Sequence, residues 1–225
     1  MNATVFPPLK DCPQPPLTDT QKRILELKKE RDAVILAHNY VCPEIQDVAD
    51  YVGDSLGLSR QVKKAGAKVI AFAGVDFMAE TAKILNPDKT VVIPDRAAGC
   101  SLEELCEPLE LAAFKKKHPG AIVISYINCG AGVKELSDII CTSGNALDIV
   151  RQIPADKEII FCPDQNLGSW IIEQTGRDMI LWDGYCRAHV QYNAEELLEA
   201  KKAFGGAPLV CHPECPKAVR DVSDC

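Results

Sequence analysis

The chain lacks the features that would place it in a membrane or on a nucleic acid. None of its apolar runs approaches the roughly 20 residues needed to cross a bilayer. Its 32 acidic residues outnumber the 25 basic ones and give a net charge of −7, whereas non-specific binding to nucleic acid needs the opposite sign. The first residues have no basic start followed by an apolar block, so no secretory signal is expected. We therefore expect a cytoplasmic protein with no membrane and no nucleic-acid partner.

The chain also lacks two common sequence motifs. No Gly-x-Gly-x-x-Gly follows any apolar run, which argues against a Rossmann dinucleotide enzyme. The 11 cysteines are an odd number and include no C-x-x-C pair. Without a secretory signal a disulfide framework is not expected, and most cysteines should be small buried apolar residues. The cysteines that fit this description are Cys129, Cys141, Cys162 and Cys211.

The chain does contain an internal repeat. Three apolar runs end in polar side chains at His38, Tyr126 and His212, which lie 88 and 86 positions apart. Such a period indicates repeated supersecondary units, and it suggests that polar groups from several units meet in one place. We predict an N-terminal arm over 1–18, a first unit over 19–99, a second over 100–189 and the start of a third, incomplete unit over 190–225.

Short apolar segments alternate with helical patterns along the chain. Strands that are apolar on both faces belong to parallel sheets covered by helices, so the prediction is an α/β fold of three-layer α/β/α units. The predicted strands are 33–37, 68–73, 90–94, 121–127, 138–142, 158–162, 178–182 and 208–211. The predicted helices are 19–31, one opened by Pro43, 54–65, 76–85, a stretch reaching 117, 132–136, 145–152, 165–174 and 194–204.

The residues that follow the predicted strands are unusually polar, and ligands of open α/β sheets bind at the carboxyl ends of strands. Each residue also has a structural explanation. Tyr126 fits a core aromatic whose hydroxyl is bonded, at least one of Ser143 and Asn145 is expected to cap the next helix, and Asp164 fits a cap as well. Glu214 is harder to explain in this way, because it lies between two prolines with no helix predicted after it.

Two cysteines lie in polar, glycine-containing loops instead of strands. Cys100 follows Gly99, and Cys186 closes the segment Gly184-Tyr185-Cys186. Thiolates in such loops suit zinc or an iron–sulfur centre. If both are ligands, they come from different units and converge in space. Two thiolates are too few for a closed four-cysteine site, so either another ligand is needed or one position is open to substrate.

Several longer segments carry a recognisable family pattern. They are Ala37–Tyr40, Pro43–Asp47, Gly53–Leu56, Phe72–Ala82, Ile93–Leu102, Ser125–Asn128, Cys141–Ser143, Pro163–Gly168, Trp182–Cys186 and His212–Pro216. Together they resemble the quinolinate synthase family, the A-type enzymes of NAD biosynthesis. The resemblance implies three similar α/β units around a pseudo-threefold axis. It also implies a [4Fe–4S] cluster held by three cysteines, and a condensation of iminosuccinate with dihydroxyacetone phosphate to quinolinate, with loss of phosphate and water.

The resemblance implies a role for each matching residue. Cys100 and Cys186 fall on two cluster-ligand positions, whose open iron would act as a Lewis acid on a substrate oxygen. The residues implied in catalysis are Tyr40, His189, His212 and Glu214. The residues implied in substrate binding are His38, Ser55, Tyr126, Asn128, Ser143, His212 and Glu214. A functional link to the enzyme that supplies iminosuccinate is implied as well.

The chain departs from the family in its third unit. Family members extend further and carry the third cluster cysteine there, a position that Cys211, Cys215 and Cys225 do not match. We therefore expect a truncated family member with an exposed sheet edge and an incomplete cluster site. Two alternatives stay open: a non-enzymatic iron–sulfur or zinc protein, which would not need Tyr126 or Glu214, and an inactive fragment that folds only with a partner segment.

Overall fold

Two sheets of four parallel strands, flanked by helices, form the core of the molecule. This arrangement comes from a computed structural model that describes residues 16–54, 57, 58, 61 and 66–225, and it confirms the predicted α/β class with parallel sheets. Most of the predicted arm, and most of the helix predicted over 54–65, lie outside the described residues. No helix in the described part of the chain is both long and apolar enough to cross a membrane.

The first sheet has the strand order β2-β1-β3-β4. On β1, Leu36 lies opposite Tyr51 of one neighbouring strand and Phe72 of the other. The elements of this part are α1 Asp19–Glu30, β1 Ala33–His38, α2 Pro43–Gln46, β2 Tyr51–Gly53, β3 Val69–Ala73, α3 Asp76–Leu85 and β4 Thr90–Val92.

The second sheet has the order β6-β5-β7-β8, so the two sheets share one strand order. On β5, Ile124 lies opposite Ile139 and Phe161. The elements are α4 Pro108–Lys117, β5 Ile122–Tyr126, α5 Ala131–Leu136, β6 Ile139–Cys141, α6 Ala146–Gln152, β7 Ile159–Cys162, α7 Gln165–Thr175 and β8 Ile180–Leu181. The remaining helices are α8 Ala194–Ala203, α9 Lys217–Val222 and the 3-10 turns Glu103–Leu105 and His189–Gln191. The pseudo-threefold axis and the unit boundaries stay predictions.

Strand β7 shows why these segments are apolar on both faces. Ile159 and Phe161 point into one core cluster, whereas Ile160 and Cys162 point into a second cluster on the opposite face. Because side chains alternate along a strand, a strand covered by helices on both faces must be apolar at every position. Cys100 packs against this first cluster and against the core of the first sheet, so it lies where the two parts meet.

The start of α1 is fixed by a capping box. The hydroxyl of Thr18 accepts a hydrogen bond from the Gln21 N–H at 3.2 Å, and the Gln21 side chain accepts one from the Thr18 N–H at 2.8 Å. Both bonds satisfy donors that the first helical turn leaves unpaired.

We expect Thr18→Ala to lower the free energy of unfolding by about 0.5–2 kcal/mol, because the cap is lost. Urea unfolding followed by circular dichroism measures this change. The control is Thr20→Ala, two residues further on and inside the helix, where alanine is a better helix former. Equal stability of the two variants would contradict the prediction.

Three segments differ from the sequence prediction, and one of them is helix α9, which was not expected after Glu214. The predicted strand over 208–211 is wrong: within the described residues no strand forms a ladder with this segment, and the backbone bonds of Leu209 and Cys211 go to Asp224 and Cys225. The Asp224 N–H donates to the Leu209 carbonyl at 2.8 Å, and the Cys211 N–H donates to the Cys225 carbonyl at 3.0 Å. Val210, between them, is 69% exposed. Strand β2, which the sequence prediction lacked, is formed instead by three residues that follow α2.

The cysteines largely follow the predicted division. Cys129, Cys141 and Cys162 are buried, whereas the loop cysteines Cys100 and Cys186 are half-buried. Cys211, predicted to be buried, is half-buried, because within the described residues its segment pairs with no strand. All cysteines within the described residues are free thiols.

Candidate functional site

A buried carboxylate between two imidazoles forms the centre of the candidate site. Glu214 is 3% exposed, and its Oε2 lies 3.1 Å from Nδ1 of His212 and 3.4 Å from Nδ1 of His189. The two imidazole rings are 5.1 Å apart. A tight turn places Glu214, because the Cys215 N–H donates to the His212 carbonyl at 2.9 Å. Charged groups are buried at such cost that a carboxylate in this position needs its imidazole partners.

The second sheet contributes two hydroxyl groups to the same cluster. Nε2 of His212 lies 3.2 Å from Oγ of Ser143, and the side chain of Ser143 lies next to the phenol of Tyr126. Tyr126 lies opposite Cys141 at the ends of neighbouring parallel strands, so the residues just beyond these ends come together. Burial, followed by the charge of Glu214, raises the pKa of Tyr126 and keeps its hydroxyl protonated. The result is a continuous polar chain from Glu214 to Tyr126.

An open cavity of about 280 Å³ lies beside this polar chain. Tyr126, Asn128 and Ser143 line it, together with Asp54 from the first part of the chain. His38 is 8% exposed, and burial lowers its pKa while the nearby charge of Asp54 opposes the shift. Asp54 lines the cavity and is near His38, so His38 lies close to the cavity as well. Sequence reasoning treated Asp54 only as a helix cap, because strand β2, which directly precedes it, was not predicted.

Asp164 ties the second sheet to the loop that carries Cys186. It is fully buried; its Oδ1 accepts a hydrogen bond from the Leu167 N–H at 2.7 Å, and its Oδ2 accepts one from the Cys186 N–H at 3.1 Å. The first bond is the predicted helix cap. The second bond depends on tertiary structure and was not predicted. Burial, with the charge of Glu214 adding to it, raises the pKa of Asp164 to about 6.

The two loop thiols face the same region. Burial raises the pKa of both thiols. A nearby negative charge raises each pKa further: the charge of Cys186 acts on Cys100, and the charge of Glu214 acts on Cys186. Ligand atoms of Cys186, His189 and Glu214 lie within 4.8 Å of one another. Within the described residues, Nδ1 of His189 and Oε1 of Glu214 are buried and make no hydrogen bond. Unsatisfied buried atoms beside thiols fit a bound cationic group.

These observations bear on the implied iron–sulfur cluster. Cys100 and Cys186 are half-buried, come from different parts of the chain and lie close enough for the charge of Cys186 to raise the pKa of Cys100. They therefore fit two ligands of one cluster. Two thiols are fewer than the three that the resemblance implies, so the donor set fits the cluster only in part.

Three other residues with a sequence prediction remain: Tyr40, Ser55 and Asn145. The side chain of Tyr40 is 89% exposed and contacts the His38 ring edge-on at 4.5 Å, away from the Glu214 cluster. Ser55 lies outside the described residues. Asn145 occupies the N-cap position of α6, as expected, but its side chain makes no capping bond: its Oδ1 instead accepts the Thr142 N–H at 2.7 Å.

The glycine before the Cys186 loop should not tolerate a side chain. A Cβ at Gly184 would overlap the carbonyl oxygen of Pro163, a backbone atom of the residue that directly follows β7. We expect Gly184→Ala to lower the free energy of unfolding by about 1–3 kcal/mol and to speed alkylation of Cys186. Urea unfolding and mass spectrometry of alkylated peptides measure both effects. Gly66→Ala is the control, since nothing lies within 4 Å of its new methyl group; equal behaviour of the two variants would contradict the prediction.

The chain is similar to known proteins over nearly its whole length. The family described as "Quinolinate synthetase A protein" matches residues 22–225. A quinolinate synthase of Thermosynechococcus vestitus is 58% identical over 209 residues, which are 92% of this chain and 66% of the relative. One from Synechocystis is 55% identical over 219 residues, 97% of this chain and 68% of the relative. The chain thus spans about two thirds of the length of these curated relatives, and it belongs to the quinolinate synthetase A family.

Proposed function

We propose that this chain supplies most of the active site of a cytoplasmic quinolinate synthase. The reaction condenses iminosuccinate with dihydroxyacetone phosphate to quinolinate, with loss of phosphate and water. The observation that carries the proposal is the polar chain from Glu214 through His212 and Ser143 to Tyr126, which ends at a cavity between the two sheets. A protein that only stored metal would have no use for this chain of donors and acceptors.

Substrate binding is assigned to the donors around the cavity. Tyr126, Asn128 and Ser143 offer neutral hydroxyl and amide groups, and His38 and Ser55 are assigned to the same task from the first part of the chain. Such donors suit the carboxylates of iminosuccinate and the phosphate of the second substrate. Held substrates react faster, because binding has already fixed their relative orientation.

Proton transfer is assigned to Glu214 with its two imidazoles. A carboxylate 3.1 and 3.4 Å from two histidine nitrogens can accept a proton and pass it on without large movements. Condensation, loss of phosphate and loss of water all need protons moved at substrate carbon and oxygen atoms. Tyr40, which is exposed beside His38, is assigned to proton transfer at the open side of the cavity.

Cys100 and Cys186 are the residues that would hold the [4Fe–4S] cluster. When bound, the cluster supplies a Lewis-acidic iron for a substrate oxygen. We assign the third cluster ligand to the part of the family's length that this chain does not span. The Cys186–His189–Glu214 group, whose ligand atoms lie within 4.8 Å, gives a second candidate function, a zinc-binding protein without enzyme activity.

Reconstitution under anaerobic conditions tests the proposal. The chain is loaded with iron and sulfide, alone and with the part of the Synechocystis relative that it does not match. It is then given dihydroxyacetone phosphate and a source of freshly made iminosuccinate. We expect quinolinate only from the complemented sample, with the full-length relative as positive control.

Two results would contradict parts of this proposal. An assembled but inactive complex that binds one zinc ion would favour the metal-binding alternative. A stable four-iron spectrum with normal turnover from the 225 residues alone would show that the chain needs no complementing segment.

A further inference from the structure

Three aspartates make the same pair of backbone hydrogen bonds in three places. In each case the aspartate N–H donates to the carbonyl of the residue 15 positions earlier, at 2.8–2.9 Å. The aspartate Oδ2 accepts the N–H of that same residue, at 2.8 Å in all three cases. The pairs are Asp50 with Ile35, Asp138 with Val123, and Asp224 with Leu209.

A lysine from the preceding helix reaches each of these carboxylates. The distances from Nζ to the carboxylate oxygen are 2.7 Å for Lys28 and Asp50, 3.6 Å for Lys115 and Asp138, and 2.5 Å for Lys201 and Asp224. The positive charge of each lysine compensates the negative charge of its aspartate. We call the aspartate, its lysine and the bonded backbone pair an aspartate clamp.

The first two clamps lie where strand pairing begins. Asp50 directly precedes Tyr51, which opens the pairing of β1 with β2, and Asp138 directly precedes Ile139, which opens the pairing of β5 with β6. The side chain thus adds one bond ahead of the ladder and fixes how the two strands are aligned. A slip of one residue would turn every side chain to the opposite face of the sheet.

Each clamped residue stands three positions before a residue assigned to the site: Ile35 before His38, Val123 before Tyr126, and Leu209 before His212. We propose that Asp50, Asp138 and Asp224 are positioning residues that hold the strands delivering these three side chains, an inference that rests on the proposed function. The clamp sets the alignment, and the alignment sets where the imidazole or phenol lies.

The third clamp should have the largest effect on the position of its site residue. β1 and β5 are also held by long parallel ladders to β3 and β7. In the described chain, the segment Leu209–Cys211 pairs with no strand, and Asp224 and Cys225 make its backbone bonds. Asp224 is therefore the clamp whose loss should displace its site residue, His212, furthest.

Histidine side-chain NMR on the whole chain tests the proposal without any substrate. In Asp224→Ala, we expect the imidazole signals of His212 to shift and the Leu209 amide to exchange at least about fivefold faster. The signals of His118, which lies at the end of α4, should not move. Asp224→Asn retains a side-chain oxygen as acceptor and should restore both readings to near those of the unsubstituted chain.

Two further variants make the test specific. Asp50→Ala should shift the signals of His38 and spare those of His212. Asp221→Ala removes a surface carboxylate whose one ion-pair partner among the described residues is Lys217, at 2.7 Å, and it should change neither reading. The proposal is overturned if Asp224→Ala behaves like Asp221→Ala, or if every variant shifts all four histidines alike.

The outcome separates this inference from the proposed function. If quinolinate forms in the complemented chain while Asp224→Ala leaves His212 unmoved, the clamp does not position the site. If His212 moves as expected but no quinolinate forms, the clamp is real and the assigned chemistry is wrong.

Discussion

Glu214→Gln should lower quinolinate formation by the complemented chain by at least about 100-fold, the lower limit typical of a lost acid–base group. The amide has nearly the same shape as the carboxylate but cannot accept a proton. It also cannot balance a positive charge on either imidazole, at 3.1 and 3.4 Å. Both substrates would still meet the donors that line the cavity. The turnover number should therefore fall far more than the Michaelis constants change.

The measurement is steady-state quinolinate formation by the reconstituted, complemented protein. Glu199→Gln is the matched control, because Glu199 is an exposed acid on α8, outside the polar chain. Iron content and unfolding temperature should be determined for both variants, so that a lost cluster or fold is not mistaken for lost chemistry. A Glu214→Gln enzyme that retains more than a third of the unsubstituted rate would rule out proton transfer by this carboxylate.

The sequence was most informative where one local rule decides the outcome. Apolar runs such as Ile159–Cys162, alternating with helical patterns, favour strands covered on both faces, so the α/β class and most strands were predictable. The meeting of Tyr126 and Ser143 was predictable for a related reason, since neighbouring parallel strands end at the same edge of a sheet. The half-buried state of Cys100 and Cys186 followed from their polar, glycine-containing loops.

The features that were missed depend on partners distant in sequence. The second hydrogen bond of Asp164 goes to the amide of Cys186, and nothing near Asp164 in sequence indicates this. The segment Pro208–Cys211 has the composition of a strand, but its neighbours decide whether a ladder forms. The same holds for Asp50 and Asp138, whose spacing from Ile35 and Val123 gains a meaning only when both backbone bonds are seen.

Phe161→Ala should lower the free energy of unfolding by about 3–5 kcal/mol. Phe161 is fully buried on β7, with Ile124 and Leu181 opposite it on the neighbouring strands. Its ring packs so closely on α7 that a methyl group at Gly168 would lie 3.0 Å from Cδ1. Truncation would leave a cavity in the middle of the second sheet, where the surrounding ladder prevents collapse.

The effect should reach the site, because β7 leads directly into Asp164 and thus to the amide of Cys186. We therefore expect faster alkylation of the Cys186 thiol in Phe161→Ala, even at urea concentrations where the variant stays folded. Urea unfolding under reducing conditions gives the stability change. Phe204→Ala is the control: this ring is 78% exposed, so its loss should cost no more than about 0.5 kcal/mol. A loss below about 1 kcal/mol for Phe161→Ala would mean that the second sheet does not depend on this side chain, and that β7 does not hold Asp164 and Cys186 through core packing.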